Sequence, residues 1–238
     1  MDLKETDILG ARIAEHWYYK SKAAAMMRLL GSARPTRVLD VGAGSGFFSR
    51  RILSLTDAEE AWCVDISYTS DSDTRENGKP IHFRRQIERV DADLVLLMDV
   101  LEHVDEDVAL LRHYVGRASP NARFMISVPA FQFLWSGHDE FLEHKRRYTL
   151  AQIEGVATAA GLELERGAYY FGAVLPLATI TRLAERLRSG APQAPGSQLK
   201  LHHPVVNWAL SVLCRAELPA IPINRLAGLT AFCVARKP

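Results

Sequence analysis

Histidines and acidic residues lie close together in two short segments of this sequence. The first, WSGHDEFLEHKRRYT at residues 135–149, contains His138 and His144, three acidic residues and the basic run 145–147. An imidazole beside a carboxylate can act as a general base or bind a metal, and guanidinium groups bind anions. Three readings are open: a metal site, a nucleic-acid patch and the lid of an active site.

The second segment, DVLEH at residues 99–103, follows a predicted strand. In a helix that begins here, Asp99, Glu102 and His103 would occupy positions i, i+3 and i+4 and share one face. Carboxylate and imidazole groups in such a set bind divalent ions. One interpretation of DVLEH is therefore a metal site completed by His138 or His144, and the other is a structural role in the loop.

A glycine-rich turn follows another predicted strand, in the segment VLDVGAGSGFF. Gly42, Gly44 and Gly46 let the backbone turn sharply and approach a ligand before a helix that begins at about Phe47. The GxGxG spacing differs from the dinucleotide pattern GxGxxG, and the preceding Asp40 would repel a pyrophosphate but suit an ammonium group. About twenty residues later, Asp65 ends the next strand, where a carboxylate accepts both hydroxyls of a ribose. These residues indicate a nucleoside-type cofactor.

The composition limits the classes of function. The chain has 238 residues, of which 48% are hydrophobic, so it can bury a sizeable core. Its 29 lysines and arginines nearly balance 28 acids, which disfavours a general nucleic-acid binder. The three cysteines are far apart and lack CxxC spacing, so neither a disulfide framework nor a zinc knuckle is expected. The first residues, MDLKETD, contain no apolar signal segment, and we expect a cytoplasmic location, with the inner membrane face as an alternative.

Short aliphatic segments alternate with segments that can form helices, which is typical of a parallel α/β sheet. Strands are predicted in RVLDVGAG, AWCVDIS, IHFRRQ, ADLVLLMD and RFMISVPA and in residues 162–171 and 229–236. Helical spacing over residues 6–30 predicts an N-terminal arm that ends before Gly31. Thr149 and Gln152 form a capping-box pattern, which predicts a helix that begins at Thr149 and ends near Gly161.

More than fifty residues separate the last two predicted strands, so residues 172–228 are predicted to form a helical insertion over one end of the sheet. Within it, SGAPQAPGSQ at residues 189–198 predicts a surface loop. Segments 169–188 and 202–213 are amphipathic, and their apolar stretches are too short to span a bilayer. They predict either helices that cover an acceptor pocket or a second subunit, which we favour, or peripheral membrane contact.

The segments DVGAGSG, CVDIS and LLMDVLEHV together resemble the motifs of class I S-adenosylmethionine-dependent methyltransferases. HWYYKSK, HDEFLEHKRRYT and LAGLTAFCVARKP resemble a bacterial subgroup of that superfamily, so the similarity covers most of the chain. The resemblance implies an α/β fold with a Rossmann-like, doubly wound sheet of seven strands, the last antiparallel. It also implies three regions: an N-terminal helical arm that covers the cofactor (1–34), a methyltransferase domain (35–171 and 229–238) and the helical insertion (172–228).

The resemblance also assigns the residues that bind the S-adenosylmethionine cofactor. Asp40 and the glycine loop would hold the methionine part, Asp65 the ribose, Ile66 one face of the adenine, Gln86 the adenine edge, and Met98 the region of the transferred methyl group; the loop residues are Gly42, Ala43, Gly44 and Gly46. Tyr19, in the arm, has two readings. It anchors the helix on the sheet, or it lies with His16 or Lys22 near the methionine carboxylate or the sulfonium, where an aromatic ring attracts a cation.

Methyl transfer from a sulfonium group mainly requires an in-line nucleophile and a site that excludes water, although an oxygen nucleophile benefits from a histidine base. The candidates are His103, His138 and His144. We predict that residues 135–149 form an acceptor-side lid with His138 as the base and Asp139 as its orienting carboxylate. In it, Arg146 or Arg147 would recognise an anionic acceptor group. Relatives with the same LEHV segment lack a metal, so none is predicted for DVLEH.

The predicted function is therefore methyl transfer to a small-molecule or lipid-linked acceptor by a monomer or homodimer. Oxygen is the favoured acceptor atom because residues 98–101, MDVL, lack the Asn/Asp-Pro-Pro-Tyr/Phe motif of one class of N-methyltransferase. An RNA or protein methyltransferase and a non-catalytic module that binds the cofactor are the alternatives. The sequence does not identify the acceptor.

Overall fold

A single mixed sheet forms the centre of the computed structural model, which describes residues 10–189 and 203–238. Eight strands of the described part form this sheet: β1 Arg37–Val41, β2 Glu60–Val64, β3 Ser72–Glu76, β4 Lys79–Arg84, β5 Leu94–Met98, β6 Arg123–Pro129, β7 Glu163–Tyr170 and β8 Thr230–Arg236. Their order is β3-β4-β2-β1-β5-β6-β8-β7. From β4 to β6 the neighbours are parallel, whereas β8 runs antiparallel to both β6 and β7. The Rossmann-like α/β fold with an antiparallel last strand is confirmed.

Helices cover both faces of the sheet. Their bounds are α1 Trp17–Leu30, α2 Phe47–Leu55, α3 Asp107–Val115, α4 Gly137–Phe141, α5 Leu150–Ala159, α6 Leu175–Ser189 and α7 Pro204–Glu217, with 3₁₀ helices at Gly10–Glu15, Leu101–His103, Gln132–Leu134 and Ile221–Ile223. Alternate residues of each central strand point to opposite faces. In β5, Leu96 joins the apolar core beneath α1 and α2, and Leu97 joins the core beneath α3 and α5. The helices therefore hold the sheet from both sides and leave the strand ends for function.

The count of seven strands is wrong, because β3 adds an eighth strand at the edge of the sheet. β3 pairs antiparallel with β4 and contains only polar residues, so it has no hydrophobic alternation by which to recognise it. The signal that identifies it is the turn between the two strands. Asn77 and Gly78 have φ values of 51° and 82°, and Asn-Gly is the preferred pair for a two-residue hairpin turn.

The predicted N-terminal arm is a short 3₁₀ helix followed by α1, and the predicted residues before Gly10 lie outside the described ranges. The helix ends where expected, at Gly31, whose φ is 64°. Its Ala25 and Met26 side chains are fully buried against the sheet, and α1 also packs against α7. The helix therefore contributes to the apolar core, and its predicted role in covering the cofactor remains a prediction.

Two further predicted elements can be compared with the structure. Helix α5 begins after Thr149, and the reciprocal hydrogen bonds of the Thr149–Gln152 capping box are both present. The insertion contains α6 and α7, and most of the predicted SGAPQAPGSQ loop lies outside the described residues. No helix within residues 10–189 or 203–238 is long and apolar enough to cross a membrane. The division into arm, domain and insertion remains a prediction.

Candidate active site

The glycine loop between β1 and α2 has a backbone that other residues adopt poorly. Gly42, Gly44 and Gly46 all have positive φ, at 63°, 52° and 72°. A Cβ atom on Gly42 would lie 2.8 Å from a methyl group of Val100, and one on Gly46 would lie 3.0 Å from the Phe83 ring. The three glycines therefore let the loop pass close to its neighbours and leave its backbone free to approach a ligand.

Asp65 connects this loop to the end of β2. Its carboxylate accepts hydrogen bonds from the backbone N–H groups of Gly44 (3.1 Å) and Ser67 (2.9 Å). Burial alone would raise the pKa of Asp65, but these backbone donors contribute to a net lowering, so the residue is ionised at neutral pH. The structure thus holds a charged acceptor at the position predicted for the ribose hydroxyls.

The other predicted cofactor residues lie at the same edge of the sheet. Asp40 is buried in β1 and accepts a 2.8 Å hydrogen bond from the Ser49 hydroxyl, and Met98 is the buried last residue of β5. Gln86 is exposed just after β4, and Ile66 follows Asp65 with 81% of its surface exposed. An exposed apolar side chain beside Asp65, the carboxylate predicted to bind the ribose, suits contact with the face of an adenine. Ala43 is buried within the loop.

These residues converge on the carboxyl ends of β1, β2, β4 and β5, where open α/β sheets bind their ligands. They fit a nucleoside cofactor for two reasons present in the structure. The glycine loop has positions that a Cβ would obstruct, and an ionised carboxylate lies beside its central amide. The individual binding roles remain predictions.

The aromatic residues of α1 contact different parts of the protein. Tyr19 is buried and packs edge-on against Phe47, with ring centroids 5.5 Å apart, so it anchors α1 on the start of α2. Trp17 and Tyr18 line a cavity. Contact of Tyr19 with the cofactor is still a prediction.

Lys22 forms a buried ion pair that the sequence did not indicate. Its ammonium group is fully buried, pairs with the Asp99 carboxylate and donates to the Tyr18 hydroxyl at 3.2 Å. Burial by itself lowers the pKa of Lys22, but Asp99 and Tyr18 outweigh burial and raise it above the usual value. Lys22 therefore stays charged and fastens α1 to the end of β5.

The prediction that Asp99 shares one helical face with Glu102 and His103 is wrong. Asp99 has a φ of 58°, so it lies in a left-handed turn before the 3₁₀ helix Leu101–His103. The turn directs its carboxylate to Lys22 and to the Ser127 hydroxyl, which donates at 3.2 Å. Asp99 therefore does not share a helical face with Glu102 and His103.

Glu102 and His103 instead meet His144 from the predicted lid. The His103 and His144 rings lie edge-on, with centroids 4.8 Å apart, and His144 Nε2 lies 4.0 Å from Glu102 Oε1. Glu102 is completely buried, and burial, followed by the charge of Asp99, raises the pKa of its carboxyl group. Burial and the neighbouring His144 lower the pKa of His103 to about 4. His103 therefore lies in a histidine–carboxylate cluster.

Asp139, the predicted orienting carboxylate of His138, contacts His144 and Arg147, and its role toward His138 remains a prediction. Its buried carboxylate accepts from His144 Nδ1 at 2.9 Å and from the Arg147 guanidinium at 2.7 and 2.9 Å. Burial opposes ionisation, but the bonds from His144 and Arg147 hold the pKa of Asp139 well below its usual range. Arg147 also donates to the Ala130 carbonyl at 3.1 Å. Its guanidinium therefore secures residues 135–149 to the sheet, and recognition of an anionic acceptor by Arg146 or Arg147 remains a prediction.

A cavity of about 350 Å³ adjoins this cluster at the carboxyl edge of the sheet. Its wall is mostly apolar and comes from α1, α6 and α7 together with the predicted lid. The lining includes Trp17, Val174, Leu177 and Leu210 as apolar residues and Asp99, Glu102, His138 and His144 as polar residues. Burial, the largest cause, lowers the pKa of His138 to about 4, so its imidazole is neutral at pH 7. The cavity has the size and lining of a small-ligand site.

Solved structures with this fold include several methyltransferases. The chain matches one solved with the Haloferax volcanii Trm112 methyltransferase activator, with a TM-score of 0.58, 14% identity and coverage of 95% of this chain and 92% of that chain. The N-methyltransferase NodS from Bradyrhizobium japonicum WM9, in complex with S-adenosylhomocysteine, matches with a TM-score of 0.53 and 10% identity. The match covers 96% of this chain and 91% of that chain. Phosphoethanolamine N-methyltransferase 2 of Haemonchus contortus, in complex with S-adenosylmethionine, matches with a TM-score of 0.53 and 16% identity. The match covers 91% of this chain and 52% of that chain. At these identities the similarity establishes the fold alone.

The family comparison adds a direct sequence match. No curated protein matches the chain significantly. The profile of a family described as "Methyltransferase domain" matches residues 14–166, which include the glycine loop, Asp65, DVLEH and the predicted lid. This range exceeds half of the 238 residues. The sequence-based recognition is thus confirmed, and the chain belongs to this methyltransferase-domain family.

Proposed function

We propose that the protein is an S-adenosylmethionine-dependent methyltransferase whose acceptor is a small or lipid-linked molecule, methylated on oxygen. The observation that carries this proposal is the cavity of about 350 Å³, which opens beside the strand end that carries Met98 and Asp99. A mostly apolar cavity with a few convergent polar groups suits a small or partly apolar acceptor. The balanced charge of the chain gives no support to a nucleic-acid substrate.

The bound cofactor supplies an activated methyl group, and the residues of this chain bind and orient both reactants. Asp65 would accept the ribose hydroxyls, and the glycine loop would hold the methionine part. The apolar wall of the cavity would exclude water and orient the acceptor toward the methyl group that the cofactor supplies. Such orientation lowers the barrier by about 7–11 kcal/mol in favourable cases. Formation of S-adenosylhomocysteine in an acceptor screen separates this function from a non-catalytic binding module.

We expect His138→Ala to lower turnover by about 10²–10⁴-fold while leaving cofactor affinity unchanged, because a general base contributes a factor of this size. His138 lines the cavity, and its imidazole is neutral at pH 7. The rate of methyl transfer is measured with the acceptor found by the screen. Calorimetry with S-adenosylhomocysteine measures cofactor binding by the same protein.

The control for this variant is His113→Ala, which removes an exposed imidazole from α3. His113→Ala is expected to retain full turnover. Unchanged turnover in His138→Ala would show that the acceptor loses its proton without His138, to another group or to solvent. Loss of cofactor binding in the same variant would show that His138 has a structural role instead of a chemical one.

A lipid-linked acceptor would also explain the apolar surface of the insertion. Leu177, Ile180 and Leu183 are exposed on α6, and Val205 and Trp208 are exposed on α7. The predicted membrane-contact segments 169–188 and 202–213 include these residues, although the side chains of residues 185–189 lie outside the described part. Apolar side chains on a helix bind the interface region of a bilayer.

We therefore expect the protein to float with liposomes that contain anionic lipids at low salt, because exposed apolar helices insert into the interface. Trp208→Ser is expected to lower the floating fraction more than Phe133→Ser, which removes an exposed aromatic residue outside α6 and α7. Absence of flotation at low salt would contradict the membrane contact. The exposed apolar faces of α6 and α7 would then bind a second subunit or the acceptor.

A further inference from the structure

The cluster of Glu102, His103 and His144 has a feature that the methyl-transfer proposal does not use. Glu102 is 0% exposed, and both of its carboxylate oxygens lack a hydrogen-bond partner among the described residues. The Nε2 atoms of His103 and His144 are buried without such a partner as well. Buried polar atoms are nearly always paired, so four such atoms in one place point to partners beyond the described side chains, which water or a bound ion supplies.

We propose that Glu102, His103 and His144 form a binding site for a divalent first-row cation in the wall of the acceptor cavity. One ligand atom from each residue can be chosen so that all three lie within 4.8 Å of one another. Ligand atoms around such an ion lie about 3 Å apart, because each bond is about 2.0–2.2 Å long. Closing the three residues around an ion therefore requires side-chain rotations that shorten the longest of these separations by up to about 2 Å.

The structure already orients one of these ligands. His144 Nδ1 lies 2.9 Å from the Asp139 carboxylate, whose two oxygens also accept from Arg147, so this side chain is an acceptor and the imidazole proton lies on Nδ1. The lone pair of His144 is then on Nε2, the atom that faces Glu102. Metal-binding histidines commonly donate their second nitrogen to a carboxylate, which fixes the tautomer and the ring orientation. Asp139 therefore acts here as a positioning residue for His144.

Charge balance also favours a cation at this position. The nearest basic residues, Lys22 and Arg147, form buried ion pairs with Asp99 and Asp139. Glu102 is then an acid buried without a hydrogen-bonded partner, and burying such a group in its charged form is costly. A divalent cation bound to Glu102 would compensate its charge and satisfy its oxygens together.

The ligand set selects the kind of cation. Two imidazoles and one carboxylate suit zinc and other first-row divalent ions, whereas magnesium and calcium prefer oxygen ligands throughout. Glu102 and His144 line the cavity, so an ion held between them lies within reach of an acceptor oxygen. This role toward the acceptor rests on the proposed function, but binding of the ion does not.

The test uses the full-length protein, freed of its purification tag, treated with chelator and dialysed. Calorimetric titration with zinc chloride, with metal content measured by plasma mass spectrometry, is expected to give one equivalent of bound zinc. Cobalt(II) is expected to give the visible absorption of a four- or five-coordinate nitrogen and oxygen site. Glu102→Gln and His144→Ala are each expected to weaken zinc binding at least about 100-fold, whereas His113→Ala retains wild-type binding.

Two measurements keep the result interpretable. Glu102→Gln preserves side-chain volume and replaces a carboxyl group whose charged form is costly to bury, so its thermal unfolding in the absence of metal is expected at or above the wild-type temperature. Zinc is expected to raise the unfolding temperature of the wild type but not of Glu102→Gln. Less than one equivalent of zinc in the wild type, or wild-type affinity in both ligand variants, would overturn the cation site.

Binding of S-adenosylhomocysteine to the same samples separates this proposal from the methyltransferase function. If the nucleoside binds and zinc does not, only the cation site fails. If zinc binds and the nucleoside does not, the cation site stands and the proposed methyl transfer fails.

Discussion

Asp65→Ala is expected to weaken binding of S-adenosylhomocysteine at least about 100-fold. In the proposed function its carboxylate accepts both ribose hydroxyls, and hydrogen bonds to a charged group contribute about 1.5–3 kcal/mol each. The same carboxylate accepts from the Gly44 and Ser67 amides, so its removal also loosens the loop that approaches the methionine part. Both effects act in the same direction on the dissociation constant, which calorimetry measures.

Two variants separate the direct contact from the loop effect. Tyr68→Phe removes the hydroxyl that donates to the Gly44 carbonyl at 2.6 Å, which disturbs the loop without removing the ribose acceptor. It is expected to weaken binding less than about 10-fold, the equivalent of one ordinary hydrogen bond. Asp57→Ala removes an aspartate whose side chain is 82% exposed, and its affinity is expected to match the wild type. Wild-type affinity in Asp65→Ala would contradict the ribose assignment.

Arg147→Ala is expected to lower the free energy of unfolding by about 3–5 kcal/mol, the usual cost of removing one partner from a buried ion pair. The Arg147 side chain is only 5% exposed, and its partner Asp139 is completely buried. Without Arg147, Asp139 loses two hydrogen bonds and the Ala130 carbonyl loses its donor. The lid then loses the side-chain part of its attachment to the end of β6, whereas the backbone hydrogen bonds of Tyr148 with Pro129 and Phe131 remain.

The adjacent Arg146 provides the matched control for this prediction. Its side chain is 37% exposed, and it donates to the Asp105 carbonyl at 2.9 Å. Arg146→Ala is expected to cost less than about 1 kcal/mol, as exposed ion pairs do. Urea unfolding, followed by circular dichroism, measures both variants. Equal losses in the two variants would contradict the special role of the Asp139–Arg147 pair, because they differ mainly in burial.

The sequence alone indicated most of the sheet and the position of the cofactor residues. Hydrophobic segments identified the seven predicted strands, and the helix after Thr149 followed from its capping box. The glycine loop and Asp65 could be placed because both are local features of a strand end. Even the missed β3 has a local signal, the Asn77-Gly78 turn. Short-range periodicity and backbone sterics determine such features, and both can be read from neighbouring residues.

Only the tertiary structure decided which charged side chains meet. Lys22 and Asp99 are 77 positions apart, and the left-handed turn at Asp99 that joins them breaks the expected helical face. Asp139 is next to His138 in sequence, yet it pairs with His144 and Arg147, because the lid folds back on the 3₁₀ helix Leu101–His103. Partner choice among buried charges depends on which strand ends and loops come together and on which pairs recover the cost of burial. Residue spacing along the chain contains neither quantity, so the cluster of Glu102, His103 and His144 became visible only in the folded chain.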